Sequence, residues 1–474
     1  MSEIRAAWAL REVRWGLYGT ILITIGSLTP AYLPQASPVW NVLKFLHLTG
    51  PITKTVGTLL VLFGLLLLIE AWFRLRAARP VRHWAVLLIW SLPFLLSPPV
   101  FSHDAYSYAA HGWLIQNNLN PYDVGPGVLP GAFADQVAWV WRTTTTPYGP
   151  LALQLSWALD WVTGFDPFWS AMAMRIPALI GVGLIGFFLP KIAELRGGDR
   201  WMVGWMGILN PILVIDFVGG AHNDALMVGL VVLAIWVTTR TRWWLAGSVI
   251  AGVAMAIKQP ALLAAVALPF LVTPWTSWRI RPVLVAAGKI IASLLTTLAT
   301  FAAITWATEL GYGWINAVNV PGKVITVSPF TIVGWVVQQG LDVVAPGLPA
   351  GIALTAARTA GLVVSALVII YLGLTKLGRR PIYFLSWSWI WFAICAPAFH
   401  SWYVMWGGVL LPLTKPSERV IRASVLATMV MLVYAAINLS NRNESLAFGV
   451  AVAGAVYWQW HTHHKAHTRR QADV

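Results

Sequence analysis

Apolar residues dominate long blocks of this chain, and polar residues gather in the segments between them. A helix needs about 20 consecutive apolar residues to cross the hydrocarbon core of a bilayer. Blocks of about that length recur from end to end, without the ~10-residue alternation that is typical of barrel strands. Because helices satisfy their own backbone hydrogen bonds in lipid, the pattern predicts an all-α polytopic membrane protein.

The apolar blocks predict about 12–14 transmembrane helices in one bundle. They lie near 16–34, 57–73, 84–101, 169–190, 201–218, 224–239, 243–257, 260–273, 284–307, 350–374, 382–397, 401–413, 420–438 and 445–460. No polar stretch is long enough for a soluble domain. Residues 1–474 are therefore expected to form a single membrane-embedded domain.

The basic residues orient the predicted bundle, because loops rich in arginine and lysine stay on the cytoplasmic side. They cluster at 5–14, 74–82, 191–200, 240–242, 279–281, 376–380, 415–422 and 465–470. The opposite side carries few, namely Lys44, Lys54, Arg142, Lys258, Lys323 and Arg442. The alternation predicts a plasma-membrane protein with both termini in the cytoplasm. The two longest loops, about 102–168 and 308–349, are then external, and 150–163 is expected to be an amphipathic helix on the membrane.

Composition agrees with this topology and narrows the chemistry. Of the 474 residues 58% are hydrophobic and 10% are charged, whereas soluble domains carry about 25% charged residues. The net charge of +15 follows from the basic loops, so no nucleic-acid partner is expected. The single cysteine, Cys395, excludes an intramolecular disulfide, and no zinc or nucleotide motif is present. The sequence predicts no metal and no cofactor.

The 29 tryptophans fit interfacial belts, and a subset in external loops fits a glycan groove.

A first candidate site follows the third predicted span, in the run from Ser102 to Tyr108. Asp104 stands there beside His103, Tyr106 and Tyr108, where apolar neighbours raise the pKa of a carboxyl group. Such a carboxylate suits a general base at neutral pH. The alternative is that Asp104 is only the N-cap of a short helix at 105–118.

The same loop contains Tyr122 and Tyr148, each next to a proline that fixes a turn. Arg142 is its basic residue, and guanidinium groups pair in a bidentate way with phosphate or carboxylate. An ion pair with Asp135 or Asp123 is the structural alternative for Arg142.

Three further external turns carry polar groups that are candidates for binding. The first has His222, Asn223 and Asp224, with Asp224 as a plain N-cap as the alternative. The second has Lys258 before a proline, where a lysine holds phosphate as a point charge. Pairing of Lys258 with a buried Asp216 is its alternative.

The third of these turns combines a histidine with two aromatic residues. His400 precedes Trp402 and Tyr403, and its imidazole suits hydrogen bonding to a phosphate or a sugar. A histidine whose hydrogen bonds are satisfied inside the protein is the alternative.

Taken in order, five of these motifs resemble a known family. They are 104–108, 120–122, 146–150, 219–224 and 400–403. Across about residues 60–440 the sequence resembles the actinobacterial polyprenol-phosphomannose-dependent alpha-1,6-mannosyltransferases of lipomannan synthesis, of the MptA and MptB type. These are membrane glycosyltransferases of the GT-C superfamily. The family's acidic residue in the first large external loop falls on Asp104, and His103 precedes it here.

The resemblance implies transfer of mannose from polyprenyl-phosphate-mannose to a hydroxyl group of a mannolipid acceptor, with inversion at the anomeric carbon. Asp104 is then expected to act as the base. Lys258, Arg142 and His400 are expected on the donor phosphate, because cations stabilise a departing anion. The remaining residues are expected to bind sugar or acceptor: His103, Tyr106, Tyr108, Tyr122, Tyr148, His222, Asn223, Asp224, Trp402 and Tyr403.

Other classes of protein remain open from the sequence. A transporter or flippase of lipid-linked sugars would place its polar groups near the middle of the spans, whereas here they gather at external ends. A GT-C enzyme using another polyprenyl-phosphate sugar, such as an arabinofuranose or glucose donor, is an alternative within the enzyme class. A non-catalytic scaffold has no need of a carboxylate, cations and histidines on one face.

Overall fold

The structure is a computed structural model that describes residues 2–34, 36–78, 81–317, 320–324, 326–441 and 444–472. Arg79 and Arg442, used above to orient the bundle, lie outside these ranges. The described residues form helices and no strands, and this confirms the all-α polytopic class.

The helices are named α1 to α21 in chain order. The first eleven are α1 (Ser2–Ala9), α2 (Arg11–Ser27), α3 (Val39–Phe45), α4 (Pro51–Leu75), α5 (His83–Leu95), α6 (Asp104–Gln116), α7 (Ala132–Gln136), α8 (Pro150–Val162), α9 (Pro167–Ala173), α10 (Arg175–Leu195) and α11 (Arg200–Val203). The others are α12 (Asp224–Thr241), α13 (Trp244–Met255), α14 (Leu262–Ala267), α15 (Ile280–Thr308), α16 (Pro329–Val344), α17 (Ile352–Leu372), α18 (Pro381–Cys395), α19 (Val404–Gly408), α20 (Glu418–Asn441) and α21 (Glu444–Ala472).

Fewer helices than predicted are long enough to cross a membrane. Among the described residues six qualify by length and composition: Pro51–Leu75, Pro167–Leu195, Asp224–Thr241, Ile280–Thr308, Ile352–Leu377 and Glu418–Asn441. A bent pair, Arg200–Ile208 with Leu213–Gly219, makes up to seven. Each of the fourteen predicted segments contains helix, but several are short, including His83–Leu95, Trp244–Met255, Gln259–Leu271 and Pro381–Cys395. The predicted count of 12–14 was therefore higher than the structure's count of full-length spans.

The bent pair shows why a continuous apolar run becomes two pieces. Its halves meet at 58° around Pro211, which lacks the N–H that a continuous helix needs. The Asn210 side chain instead accepts a hydrogen bond from the Ile212 N–H at 2.9 Å. The indoles of Trp72 and Trp205 stack and each donates to the other's backbone carbonyl, at 2.8 and 2.6 Å. This bonding fixes the bent pair against α4.

The 102–168 loop is largely helical and packs on itself. Helix α6 contacts α7, α8 and α9, and α8 contacts α15. The predicted helix at 150–163 is confirmed as α8. Gly112 lets α6 approach α8 closely, because a Cβ there would overlap a carboxylate oxygen of the buried Asp160. The loop therefore holds Asp104, the first residue of α6, on a folded support.

Candidate active site

A cavity of about 530 Å³ lies where the 102–168 loop meets the ends of several helices. Its walls come from five parts of the chain, which are 101–111, 138–148, the residues 320, 323, 324 and 326, 400–403 and the later turns of α20. Asp104, His103, Tyr148, His400, Trp402 and Tyr403 line it. Six of the predicted site residues, far apart in sequence, therefore share one cavity.

Asp104 stands at the wall of this cavity with its side chain 20% exposed. It is the first residue of α6, whereas the N-cap is His103, so the plain N-cap alternative was wrong. Burial raises the pKa of Asp104 to about 6, against the lowering effects of Lys258 and of hydrogen bonds with Ser102 and Tyr148. A carboxyl group with this pKa is ionised at pH 7 and still basic enough to accept a proton.

Two histidines stack on one indole ring at this site, and one of them lies close to the Asp104 carboxylate. The rings of His222 and His400 both stack on Trp402, with centroids 3.7 and 4.5 Å away. The Nδ1 atom of His222 lies 3.5 Å from a carboxylate oxygen of Asp104. Burial lowers the pKa of His222 well below its usual value and that of His400 to about 3. Both rings are therefore neutral at pH 7, and they offer hydrogen bonds but no positive charge.

The charged core of the site is a buried ion pair beside the aromatic wall. The Lys258 ammonium group donates to both carboxylate oxygens of Asp224 at 2.8 Å. The Trp406 indole N–H donates to the same carboxylate at 2.6 Å. Asp224 is fully buried and Asn223 occupies the N-cap, so the plain N-cap alternative for Asp224 was wrong. Lys258 pairs with Asp224 and not with Asp216, which corrects the structural alternative stated above.

Backbone bonds attach the Tyr148 turn to the Lys258 turn. The N–H groups of Gly149 and Leu151 donate to the carbonyls of Ile257 and Ala256, each at 3.0 Å. As a result the Lys258 ammonium group lies 5.7 Å from the centre of the Tyr148 ring. The absence of a side chain at Gly149 permits this approach, because a Cβ there would overlap the Ala256 carbonyl oxygen.

A Gly149→Ala variant is therefore expected to separate the two turns. Overpacking of a rigid backbone contact costs about 1–3 kcal/mol, and the shift of Tyr148 should also lower activity. The thermal midpoint of the purified protein in detergent measures the first effect. Gly183→Ala is the matched control, because a Cβ at Gly183 meets no atom within 4 Å. Equal midpoints for the two variants would contradict the close approach.

Several predicted site residues lie outside the cavity lining. Arg142 bonds within its own turn, donating to the carbonyls of Val137 and Asp135 at 3.1 and 2.8 Å. Its guanidinium group also lies 3.7 Å from the Asp135 carboxylate, which is the ion pair named as its alternative. The structure therefore does not bring Arg142 to the other phosphate candidates.

Four more of the predicted site residues also lie outside the cavity lining. Tyr122 donates through its hydroxyl group to the Tyr148 carbonyl at 2.9 Å, and Tyr108 packs edge-on to the Tyr148 ring. Tyr106 is buried, and Asn223 faces a separate small pocket next to Tyr108. None of the four lines the main cavity, so the contacts of these residues are with other protein groups.

The structure adds residues that sequence reasoning missed. Trp406 contacts Asp224, and Lys323 is the one lysine or arginine among the described residues that line the cavity. Arg175 is buried on α10 and donates to the carbonyls of Ser97, Val218 and Gly219, which holds the turn before His222. An arginine inside an apolar run is costly to bury. Its presence in a predicted span could therefore have identified Arg175 as a residue with buried hydrogen-bond partners.

The fold and the cavity define a class: a polytopic helical membrane protein with a carboxylate, two neutral histidines and an aromatic wall at one end of its helices. Residues 13–277 match the family model described as the N-terminal domain of alpha-(1->6)-mannopyranosyltransferases. The chain belongs to this family, and it is a mannosyltransferase.

Named relatives agree with the family assignment. Alpha-(1->6)-mannopyranosyltransferase A of Mycobacterium tuberculosis is 30% identical over 96% of this chain and 90% of its own length. The enzyme of the same name from Corynebacterium glutamicum is 32% identical over 60% of this chain and 62% of its own length. A probable alpha-(1->6)-mannopyranosyltransferase of Mycolicibacterium smegmatis is 28% identical over 90% of this chain and 83% of its own length. These relatives support formation of alpha-1,6-mannosyl linkages.

Proposed function

We propose that the protein transfers mannose from polyprenyl-phosphate-mannose to a hydroxyl group of a mannolipid acceptor of the lipomannan type, with inversion, on the extracytoplasmic face. The observation that carries this proposal is the placement of Asp104, whose pKa is raised to about 6, at the wall of the cavity. The relatives are named as alpha-(1->6)-mannopyranosyltransferases, which supports the sugar and the linkage.

The reaction needs one base and a stabilised leaving group. Asp104 accepts the proton of the acceptor 6-hydroxyl group, and the oxygen of that hydroxyl group forms the new bond to C1 of the donor mannose. The bond from C1 to the phosphate oxygen breaks, and its electron pair stays on the lipid phosphate. Inverting transfer uses a single carboxylate in this role, as inverting glycosidases use one to activate water. No metal is required by this scheme.

The leaving phosphate is assigned to residues that line the cavity. His400 offers a neutral hydrogen-bond donor, and Lys323 brings a positive charge to the wall, where it stabilises the departing anion. Lys258 does not line the cavity and its charge is compensated by Asp224, but its ammonium group lies 4.9 Å from the centre of the Tyr403 ring in the wall. Its contact with phosphate stays a prediction.

The polyprenyl chain is assigned to the side of the cavity formed by α20. Tyr434, Ala435, Asn438 and Leu439 line the cavity and lie in the later turns of the candidate span Glu418–Asn441. The basic cluster at 415–422 stands at the other end of the same helix. Under the positive-inside rule this arrangement supports a cavity at the outer leaflet, where a lipid tail stays in the bilayer while its phosphate reaches the wall.

Product analysis tests the proposal directly. Purified protein is incubated with polyprenyl-phosphate-mannose and a short mannolipid acceptor, and the product linkage is read by methylation analysis and nuclear magnetic resonance. An alpha-1,6-linked mannose is expected. Transfer from polyprenyl-phosphate-arabinofuranose or polyprenyl-phosphate-glucose in place of mannose would contradict the donor assignment. Movement of the lipid-linked sugar across vesicles without any transfer would contradict the enzyme assignment.

The pH profile of the reaction follows from the Asp104 base. The base acts only when it is ionised, so kcat/KM is expected to fall as the pH falls through about 6, the pKa of Asp104. Well below that pH the loss should approach tenfold for each pH unit. Initial rates between pH 4.5 and 8, in a series of inert buffers, measure this fall of kcat/KM on the acid side of the profile. An acid limb near pH 4, typical of an unshifted carboxylate, would contradict the assignment of this group as the base.

A further inference from the structure

The turn at 138–141 presents two tryptophans on one side of the main cavity. Ala138, Trp139, Val140 and Trp141 all line it, and Trp139–Trp141 forms a single 3-10 turn. The Trp139 side chain is 70% exposed, which is unusual for the largest apolar side chain in a wall built on a folded support. Among the described residues the third tryptophan that lines this cavity is Trp402, which is buried.

This turn is held in place from both sides. The Arg142 side chain donates to the carbonyls of Val137 and Asp135, which precede the turn. The Arg142 carbonyl accepts from the Gly127 N–H at 2.7 Å, and the Thr144 hydroxyl donates to the Trp141 carbonyl at 3.1 Å. Arg142, expected on phosphate, instead acts as a positioning residue for the two tryptophans. A rigid aromatic surface loses little entropy when a ligand covers it.

The two sides of the cavity differ in chemistry. The α20 side belongs to a candidate membrane span, whereas the 138–148 side belongs to the polar loop and adds the side chains of Thr144, Thr145 and Thr146. A lipid-linked donor is confined to the bilayer and takes the α20 side. The loop side is left for a ligand that has hydroxyl groups and apolar C–H faces, which stack on indole rings. An oligosaccharide of mannose has this combination.

We infer that Trp139 and Trp141 form a stacking platform for the glycan of the acceptor, next to the mannose that receives the new residue. This inference rests on the proposed function for the identity of the sugar. It assigns the platform to sugars beyond the reacting one, because the turn borders the cavity and its outermost ring faces solvent. Longer acceptors therefore gain more from it than short ones.

Binding and kinetics of four proteins test the platform: wild type, Trp139→Ala, Trp139→Phe and Trp161→Ala. Trp161 is the matched control, because it is 65% exposed in the same loop but does not line the cavity. With saturating donor, Trp139→Ala is expected to raise the acceptor KM about tenfold for a tetramannoside lipid and less for a dimannoside lipid. Trp139→Phe should recover part of the loss. The donor KM should not change, and Trp161→Ala should match wild type.

A donor-free titration separates this inference from the proposed function. Calorimetry with soluble linear alpha-1,6-mannotetraose measures binding to the same four proteins. If wild type transfers no mannose but binds the tetrasaccharide in a Trp139-dependent way, the platform stands and the donor assignment fails. An acceptor KM of Trp139→Ala within twofold of wild type, or tetrasaccharide binding unchanged by the substitution, overturns the platform. A parallel rise in the KM for donor and acceptor also overturns it.

Discussion

Replacing Asp104 with asparagine should reduce mannosyl transfer by about 10²–10⁴-fold, the contribution typical of a positioned general base. The amide has nearly the same shape as the carboxylate but cannot accept the proton of the acceptor hydroxyl group. The residual rate should lose the acid limb near pH 6, because that limb belongs to the missing carboxyl group. Initial rates with membranes or purified protein give both readings.

Asp123→Asn supplies the matched control for this loss. Asp123 lies in the same loop, is exposed and does not line the cavity, so its amide variant should transfer mannose at the wild-type rate. Both variants should unfold at the wild-type temperature. If Asp104→Asn kept its full rate, another group would have to be the base.

Lys258→Met should give the largest loss of stability among the variants considered, about 3–5 kcal/mol. The substitution leaves the buried Asp224 carboxylate without its ion-pair partner, and only the Trp406 indole still donates to it. Thermal unfolding in detergent measures the effect. Lys44→Met, at an exposed position, should stay within about 0.5 kcal/mol of wild type.

The double variant Lys258→Met with Asp224→Asn separates structure from phosphate binding. It removes both charges and keeps an oxygen that accepts from Trp406, so most of the lost stability should return. If the folded double variant also transfers mannose at nearly the wild-type rate, Lys258 acts only as a structural partner. If the double variant is stable but inactive, the result would instead support the predicted role of Lys258 in binding the donor phosphate.

The sequence predicted the collection of site residues better than it predicted their partners. Asp104, His222 and His400 each follow an apolar block on the same predicted side, and Tyr148 lies in the external loop that Asp104 begins, so the alternation of basic loops is enough to bring them to one end of the bundle. Which acid pairs with Lys258 depends on helix packing. Asp216 and Asp224 lie eight residues apart on either side of one turn. The sequence pattern does not predict the bend in the pair of helices that contains Asp216.

The predicted spans outnumber the full-length helices of the described residues for a related reason. Hydropathy shows that a segment is apolar but does not fix how long its helix is. The predicted spans 243–257 and 260–273 form the short helices Trp244–Met255 and Gln259–Leu271, with Lys258 in the break between them. The contacts of Arg142 could not be predicted from its isolation in a long loop, since nothing in its spacing shows that nearby carbonyls accept its hydrogen bonds.

The ion pair also bears on how the chain enters the bilayer. Asp224 opens α12 and Lys258 lies three residues after the end of α13, so the two charges stand at the same end of one helical hairpin. A lone ammonium or carboxylate group carried through the hydrocarbon region costs about 2.5–3.5 kcal/mol during insertion. Within this hairpin the opposite charges travel together and cancel. Each of these two charges therefore has its partner within the hairpin itself, whereas Arg240 and Arg242 stand at the other end, near the turn between the two helices.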